Sequence, residues 1–356
     1  MEMNERSVNS QELKWRILDV INAVRSAKSK DELRKIYSFF VYQRWLTDKN
    51  VRLTEDEYYS YLADPSEIDP KKIIPKFVVA DTRKLRRLFR YLTYYWSFPV
   101  SEGVGRRVKI LVFDEQNDKV IGLIGLKDPV IGLSARDRHI GWDAKTKNEY
   151  LIHVMDAHVL GAVPPYNKLL GGKLIASLLR SEELKQIVDS KYVFRHGFGV
   201  VLFTTIAVYG KSVMLEGTDW VFAGYTKGHS TFHLDFNELR QALGIRNLGF
   251  GANYSMRLAR ITSKAFGFDV TDLGAKRAVY LMPLTSDYRE VLNGKGKPSY
   301  DLVEPAAVIV ERIKDEYIVP RSARIRLSRP PKVSELMKEY EARAADIFSY
   351  FQSTEI

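Results

Sequence analysis

Apolar positions recur first at helical spacing and later in alternating or continuous runs. Leu13, Ile17, Val20, Ile21 and Val24 fall on one side of a roughly 3.6-residue repeat, and Leu33, Ile36, Phe40 and Val41 mark a second such face. Asp31, just ahead of Glu32 and Leu33, is placed to cap that second helix. Pro65, Pro70 and Pro75 punctuate a loop, and Leu85, Leu88, Phe89 and Leu92 then form the inward stripe of a third helix over residues 81–96. None of the 22 glycines precedes Gly103. Sheets and tight turns usually need a positive φ somewhere, so this predicts an all-helical N-terminal domain.

From residue 106 the pattern changes to strands. Residues 108–128 read as two β runs around a polar turn, and residues 134–146 as a loop. Residues 149–163 start an apolar run that stops at Pro164 and Pro165. A helix is expected over 170–190, a buried strand over 200–207, a hairpin over 219–234, helices over 236–243 and 253–266, and a strand over 278–283. The terminal helix is expected over 332–351. The pattern predicts an α+β protein with a mixed sheet, in three parts: a helical N-terminal domain (1–100), the core (101–300), and a basic C-terminal extension (301–356).

Composition narrows the chemistry. With no cysteine there is no disulfide framework, thiolate metal site or cysteine nucleophile. The polar, mixed-charge N-terminus does not read as a secretory signal, and no uncharged apolar stretch reaches the ~18 residues a membrane span needs. A cytoplasmic protein with no membrane partner is therefore expected. The formal charge of +11 favours a polyanionic partner, with DNA first.

Three places carry candidate chemistry. Residues 151–184 order a strand, a turn, the pair Gly171-Gly172 and a helix, so backbone N–H groups and Lys173 are placed to bind phosphate or another anion at a helix start. If residues 151–160 are extended, Asp156 and His158 share one side and His153 takes the other. Asp156 and His158, with Tyr166 nearby, form a candidate acid/base set. His229, Thr231 and His233 share a face of an expected strand, which makes His229 and His233 candidate metal ligands alongside Asp156 and His158. No H-E-x-x-H spacing occurs, so acid/base work is favoured over metal. The carboxylates do not cluster as a two-metal nuclease site requires.

The basic segments are the candidate DNA contacts. Arg83, Lys84, Arg86, Arg87 and Arg90 lie on the third helix against a single Asp81, with Tyr94, Tyr95 and Trp96 behind them. Arg136 and Arg138 flank Asp137 beside Trp142, where a phosphate contact and an internal Arg–Asp clamp are equally open readings. Arg246, Arg257, Arg260 and Lys264 mark a further basic helix face. Arg324 and Arg326, alternating around Ile325, suggest an edge strand or arm.

Two resemblances extend this reading. The order of elements over residues 106–234 is similar to that of the acetyltransferase-like GNAT superfamily, although NKLLGGKL departs from the usual pyrophosphate loop. The resemblance implies a GNAT-like core and a phosphate-bearing acyl or group donor as cofactor. The blocks RDRHIGW (136–142), MDAHVLGAVPPYNKLLGGKLIASLLRS (155–181) and GYTKGHSTFHL (224–234) resemble the DruA family, named after the Druantia antiphage system. That family implies a defence or mobile-element setting, action on nucleic acid, and other proteins of such a system as partners. Three functions follow as expectations: a nucleic-acid-modifying transferase, a non-catalytic DNA-binding or sensing subunit that recruits an enzyme, and a small-molecule acyltransferase. In the first, Trp142 or Tyr225 would stack on an extruded base.

Overall fold

The computed structural model describes residues 9–103, 105–245 and 254–347. Helix α1 (Ser10–Ser26) starts at Asn9, whose side chain accepts from the Gln11 N–H, and buries the five predicted positions Leu13, Ile17, Val20, Ile21 and Val24. Helix α2 (Lys30–Thr47) is capped by Ser29 rather than Asp31; the Ser29 hydroxyl accepts from the Glu32 N–H at 3.1 Å. Asp31 lies inside the first turn, where it suits the helix dipole and pairs with Arg34 at 2.6 Å. The helix Arg83–Thr93 is capped by Thr82.

The N-terminal part is not all helical. Residues Pro75–Val79 form β1, an edge strand on a seven-stranded sheet. It is followed by β2 (Arg107–Asp114), β3 (Lys119–Lys127), β4 (Val154–Ala162), β5 (Leu202–Ala207), β6 (Val221–His229) and β7 (Asp272–Pro283), in the spatial order β1-β2-β3-β4-β5-β7-β6. The pair β4–β5 is parallel and every other neighbour is antiparallel. Those two strands pair only over Val154–Asp156 and Leu202–Thr204 and then part.

Several expected elements differ. The hairpin over 219–234 is the single strand β6, which ends at His229 and pairs with β7, itself longer than residues 278–283. The loop over 134–146 contains the helix Ser134–Ile140 and the start of the helix Ala144–Tyr150. The helix over 170–190 is broken by the left-handed Gly171 and Gly172 and by Ser181 into Lys173–Ser177, a 3-10 turn and Glu182–Lys191. Residues 325–332 are not a strand, although Ile325 and Leu327 still pack against the core. The final helix spans Val333–Ile347.

Alternation along the strands assigns the two faces. Val108, Ile110, Val112, Met155 and Ala157 join the cluster beneath the Lys173–Ser177, Glu182–Lys191 and Ala306–Ile313 helices. Leu111, Val120, Leu123 and Val159 face the other way, against Val41 and Trp45 of α2, Leu88 and Leu92, and Val333, Met337 and Tyr340. At the far end of that second face, α1 and α2 share a cluster with Leu234, Leu239, Leu258 and Phe266. The N-terminal helices therefore build their cores on the sheet. Among the described residues no helix is long and apolar enough to cross a membrane.

Candidate functional site

Strand β4 carries the chemistry. Its register with β3 slips by one residue, from Leu126↔Ala157 to Gly125↔Val159, leaving His158 as the extra residue of a bulge. Asp156 and His158 both open on the α1/α2 side, as strand parity predicts. Beyond the bulge parity inverts: Val159 and Val163 join that side, while Leu160 and Ala162 join the opposite one.

Asp156 is buried, accepts from the Thr204 hydroxyl at 3.0 Å, and lies 3.4 Å from the Lys127 ammonium. Burial raises its pKa, opposed by Lys127, Thr204 and the more distant Arg136. His158 makes no bond to Asp156; both its ring nitrogens are buried and find no partner. Burial, helped by the charges of Lys127 and Lys109, lowers its pKa to about 3. Its imidazole is thus neutral near pH 7, with one donor and one acceptor unspent. Two glycines make room for this ring. A Cβ on Gly103 would lie 2.9 Å from Nε2, and one on Gly125 would lie 3.1 Å from Cε1.

Asp156 and His158 sit in a cavity of about 830 Å³ between the sheet and the N-terminal helices. Leu13, Arg16 and Ile17 of α1 and Phe40 and Arg44 of α2 form one wall, and residues 230–236 form another. Arg277 of β7 enters from the floor. Its guanidinium stands 5.7 Å from the Phe98 ring centroid and beside the Tyr37 hydroxyl, and its Nε and Nη2 are buried outside hydrogen-bond geometry. Burial lowers its pKa, opposed by Tyr37 and Tyr209. His233 is held at 2.9 Å from the Val270 carbonyl through Nε2, while Nδ1 is buried and open, and burial lowers its pKa to about 4. Other charges of the lining are already engaged: Arg16 pairs with Glu238 at 3.1 Å, and Arg44 bonds Glu102 at 3.4 Å. The unspent groups are thus one guanidinium edge, the neutral His158 imidazole and Nδ1 of His233. They suit a ligand that carries an anion and a hydrogen-bonding ring edge.

The other candidates lie elsewhere. Tyr166 is buried on the opposite side of the sheet, where its hydroxyl donates to Asp114 at 2.7 Å and accepts from Asn117 at 2.9 Å. It is not within the Asp156–His158 set. Gly171 and Gly172 have the expected left-handed backbone, but Tyr317 stands against the first and Met214 against the second, where any added Cβ would collide with them. Lys173 donates to the Glu216 carbonyl and lies 5.6 Å from the Tyr317 ring. The expected anion cradle is therefore filled from within the chain. His229 is exposed at the end of β6, 3.2 Å from the Thr271 hydroxyl and 3.7 Å from Asp269, and does not converge with Asp156 and His158. Among the described residues, no group of three or more His, Cys, Asp or Glu could hold a metal ion.

The basic candidates divide in the same way. Arg136 is fully buried: it bonds Asp137 at 2.6 and 2.9 Å and the carbonyls of Val130 and Ile131 at 2.8 and 3.1 Å. Of the two readings for this arginine, the internal clamp is realised and the phosphate contact is not. Arg90 is ion-paired with Asp48 and Glu102, so it too is turned to internal work. Arg83, Lys84, Arg86, Arg138, Arg257, Arg260, Lys264, Arg324 and Arg326 are exposed and Arg87 is half-buried, with Lys84 paired to Glu57 at 2.7 Å. Arg246 lies outside the described residues. Sequence reasoning missed Lys127, Thr204, Arg277 and Gly103. For Arg277 a signal existed, since a cation beside the run AVYLMP is unusual in a strand interior.

Fold and site together define an α+β protein built on one mixed sheet, with a polar cavity roofed by its N-terminal helices. Comparison with known sequences makes the class particular. The family model for Druantia protein DruA matches residues 28–294, and the chain belongs to the DruA family. It is similar to Druantia protein DruA of Escherichia coli (strain UMEA 4076-1), with 34% identity over 337 residues, covering 86% of this chain and 80% of that relative. No solved structure matches.

Proposed function

We propose that this chain acts on DNA as part of an antiphage defence system, and that the junction cavity receives a nucleotide. Family membership supports the defence setting. The observation that carries the site is the set of open nitrogens on Arg277, His158 and His233 inside one cavity. Arg277 provides a charge-assisted contact for a phosphate. His158 offers a donor and an acceptor to a base edge, His233 offers the acceptor Nδ1 because its N–H is given to the Val270 carbonyl, and Phe98 and Phe232 supply flat apolar surface. A volume of about 830 Å³ suits a nucleotide. The exposed cations of the helix Arg83–Thr93, the helix Tyr254–Phe266 and the 324–326 segment supply backbone contacts.

A second reading, a transferase, is favoured by strand order. The order β1-β2-β3-β4-β5-β7-β6, with its one parallel pair parting beyond Asp156 and Thr204, agrees with a GNAT-like core. Asp156 and Lys127 are then the proton-handling groups, since Tyr166 is remote and His158 is a weak base. A donor would have to enter from the cavity side, because Tyr317 and Met214 occupy the Gly171-Gly172 approach.

The test is DNA binding over a salt series, on duplex and on single strand. We expect log K to fall with log[salt] by ~0.9 per phosphate contacted on duplex, and Arg83→Ala with Arg86→Ala to lower that slope by roughly two contacts. Calorimetry with deoxynucleoside monophosphates tests the cavity, where Arg277→Met should abolish binding. Absence of DNA binding at moderate ionic strength would overturn the DNA reading. Mononucleotide binding unchanged by Arg277→Met would overturn the cavity assignment.

A further inference from the structure

The open edge of the sheet carries a strip that the junction cavity does not use. On β6, Phe222 is 38% exposed and Tyr225 is 45% exposed, and their rings meet edge-on with centroids 5.1 Å apart. Phe222 lies opposite Tyr280 and Tyr225 opposite Ala278 on β7, both on the face turned away from the cavity. One step further along the same face, Lys227 lies opposite Lys276, and both are exposed. Lys211 hangs over the Phe222 ring at 5.0 Å, and the Lys30 ammonium reaches the Lys211 carbonyl at 2.7 Å.

Lys211 thus covers one exposed ring, with Lys30 bonded behind it, and Lys227 and Lys276 follow Tyr225 along the same face. Neither β6 nor residues 276–283 of β7 contain an acidic residue. Of the acids nearby, Asp219 pairs with Arg180 at 2.9 Å, Asp272 and Asp269 lie beyond the strip beside Arg25 and His229, and the exposed Glu216 lies toward Lys173.

We propose that this strip is a platform for single-stranded nucleic acid, with bases stacked on Phe222 and Tyr225 and the phosphate chain tracked by Lys30, Lys211, Lys227 and Lys276. It rests on the nucleic-acid reading above and adds to it the strand state and the docking surface. Stacking on exposed aromatic rings accepts any base, and flanking lysines follow the backbone. The alternative occupant of an open edge is an added peptide strand. Two register slips, at Phe222/Gly224 and at Lys227/His229, interrupt the regular ladder such a strand needs. The exposed rings also stand on the face of the sheet, whereas strand addition uses its edge.

The test measures binding of a fluorescent oligothymidylate and of a duplex of equal length by the intact chain, its Phe222→Leu and Tyr225→Leu variants, and Tyr225→Trp. Leucine keeps the apolar bulk but removes the stacking face. Each leucine variant should weaken single-strand binding about tenfold, leave duplex binding and the melting temperature unchanged, and be rescued by tryptophan. Equal single-strand binding by wild type and both leucine variants overturns the platform while the DNA reading stands. Loss only on Lys227→Glu with Lys276→Glu, at full strength in the leucine variants, overturns stacking and leaves a merely electrostatic strip. Failure of wild type to bind either form overturns both the platform and the reading beneath it.

Discussion

Arg136, fully buried, and Arg277, half-buried with two nitrogens out of solvent, are held under opposite conditions. Arg136 has its guanidinium bonded to Asp137 and to the carbonyls of Val130 and Ile131, with Trp142 5.4 Å away. Arg277 is held under Tyr37 and Phe98 with Nε and Nη2 unbonded. The first stands in a sequence block where a phosphate contact and an internal clamp are equally open, and it does the structural job. The second stands beside an apolar strand run, where a cation is the unusual residue. Burial of a charge thus separates neither role; the hydrogen-bond account does.

The largest effect should come from breaking the clamp. Arg136→Ala leaves Asp137 and two carbonyls without their buried partner and is expected to cost about 3–5 kcal/mol, read as loss of chemical-denaturation stability. A variant as stable as wild type would remove the contrast.

The next effect concerns the cavity histidines. His158 and His233 titrate at about 3 and about 4 in the folded chain, against about 6.5 unfolded. Below pH 6.5 the unfolded chain takes up protons that the folded chain refuses, so stability is complete above that pH and falls toward pH 4. Each histidine contributes up to about 1.4 kcal/mol per pH unit in that window. Asp156, raised by burial, acts in the opposite sense, so the comparison is between wild type and His158→Gln across the same pH series. The variant should show a flatter acid limb, and parallel curves would count against an open, neutral His158.

Arg277→Met should reverse the sign seen at Arg136. Removing a half-buried cation with unspent donors is expected to raise stability by about 1–2 kcal/mol while abolishing nucleotide binding. A destabilised variant would mean that Arg277 is as structural as Arg136. The smallest effect is expected at Arg324→Ala with Arg326→Ala. These exposed residues should leave the melting temperature within about 1 °C and lower the salt slope of duplex binding by roughly two contacts.

Much of this was legible from residue order. The five apolar positions of α1 and the sheet from residue 106 onward follow the hydrophobic pattern. The shared orientation of Asp156 and His158 follows from parity because the bulge begins only at His158. Strand β1 was hidden because the lack of glycine before Gly103 pointed to helix, yet Asp81 and Thr82 make the turn after Val79 without one. The Gly171-Gly172 pair has the predicted backbone, but Tyr317 and Met214 reach it from distant parts of the chain, which local spacing does not reveal. Arg136 had both its fates visible beside it in Asp137, and only the fold decides between them.

The packing of the Val333–Ile347 helix bears on the timing of synthesis. Val333, Met337 and Tyr340 complete the cluster begun by Val41, Trp45 and Leu88, while Tyr59 and Tyr95 bond the carbonyls of Pro330 and Pro331 at 2.7 and 2.8 Å. During translation α2 leaves the ribosome with one flank uncovered, and it waits through nearly three hundred further residues for the segment that covers it. A flank made early is thus covered late, and a nascent chain stalled before Val333 presents it to chaperones.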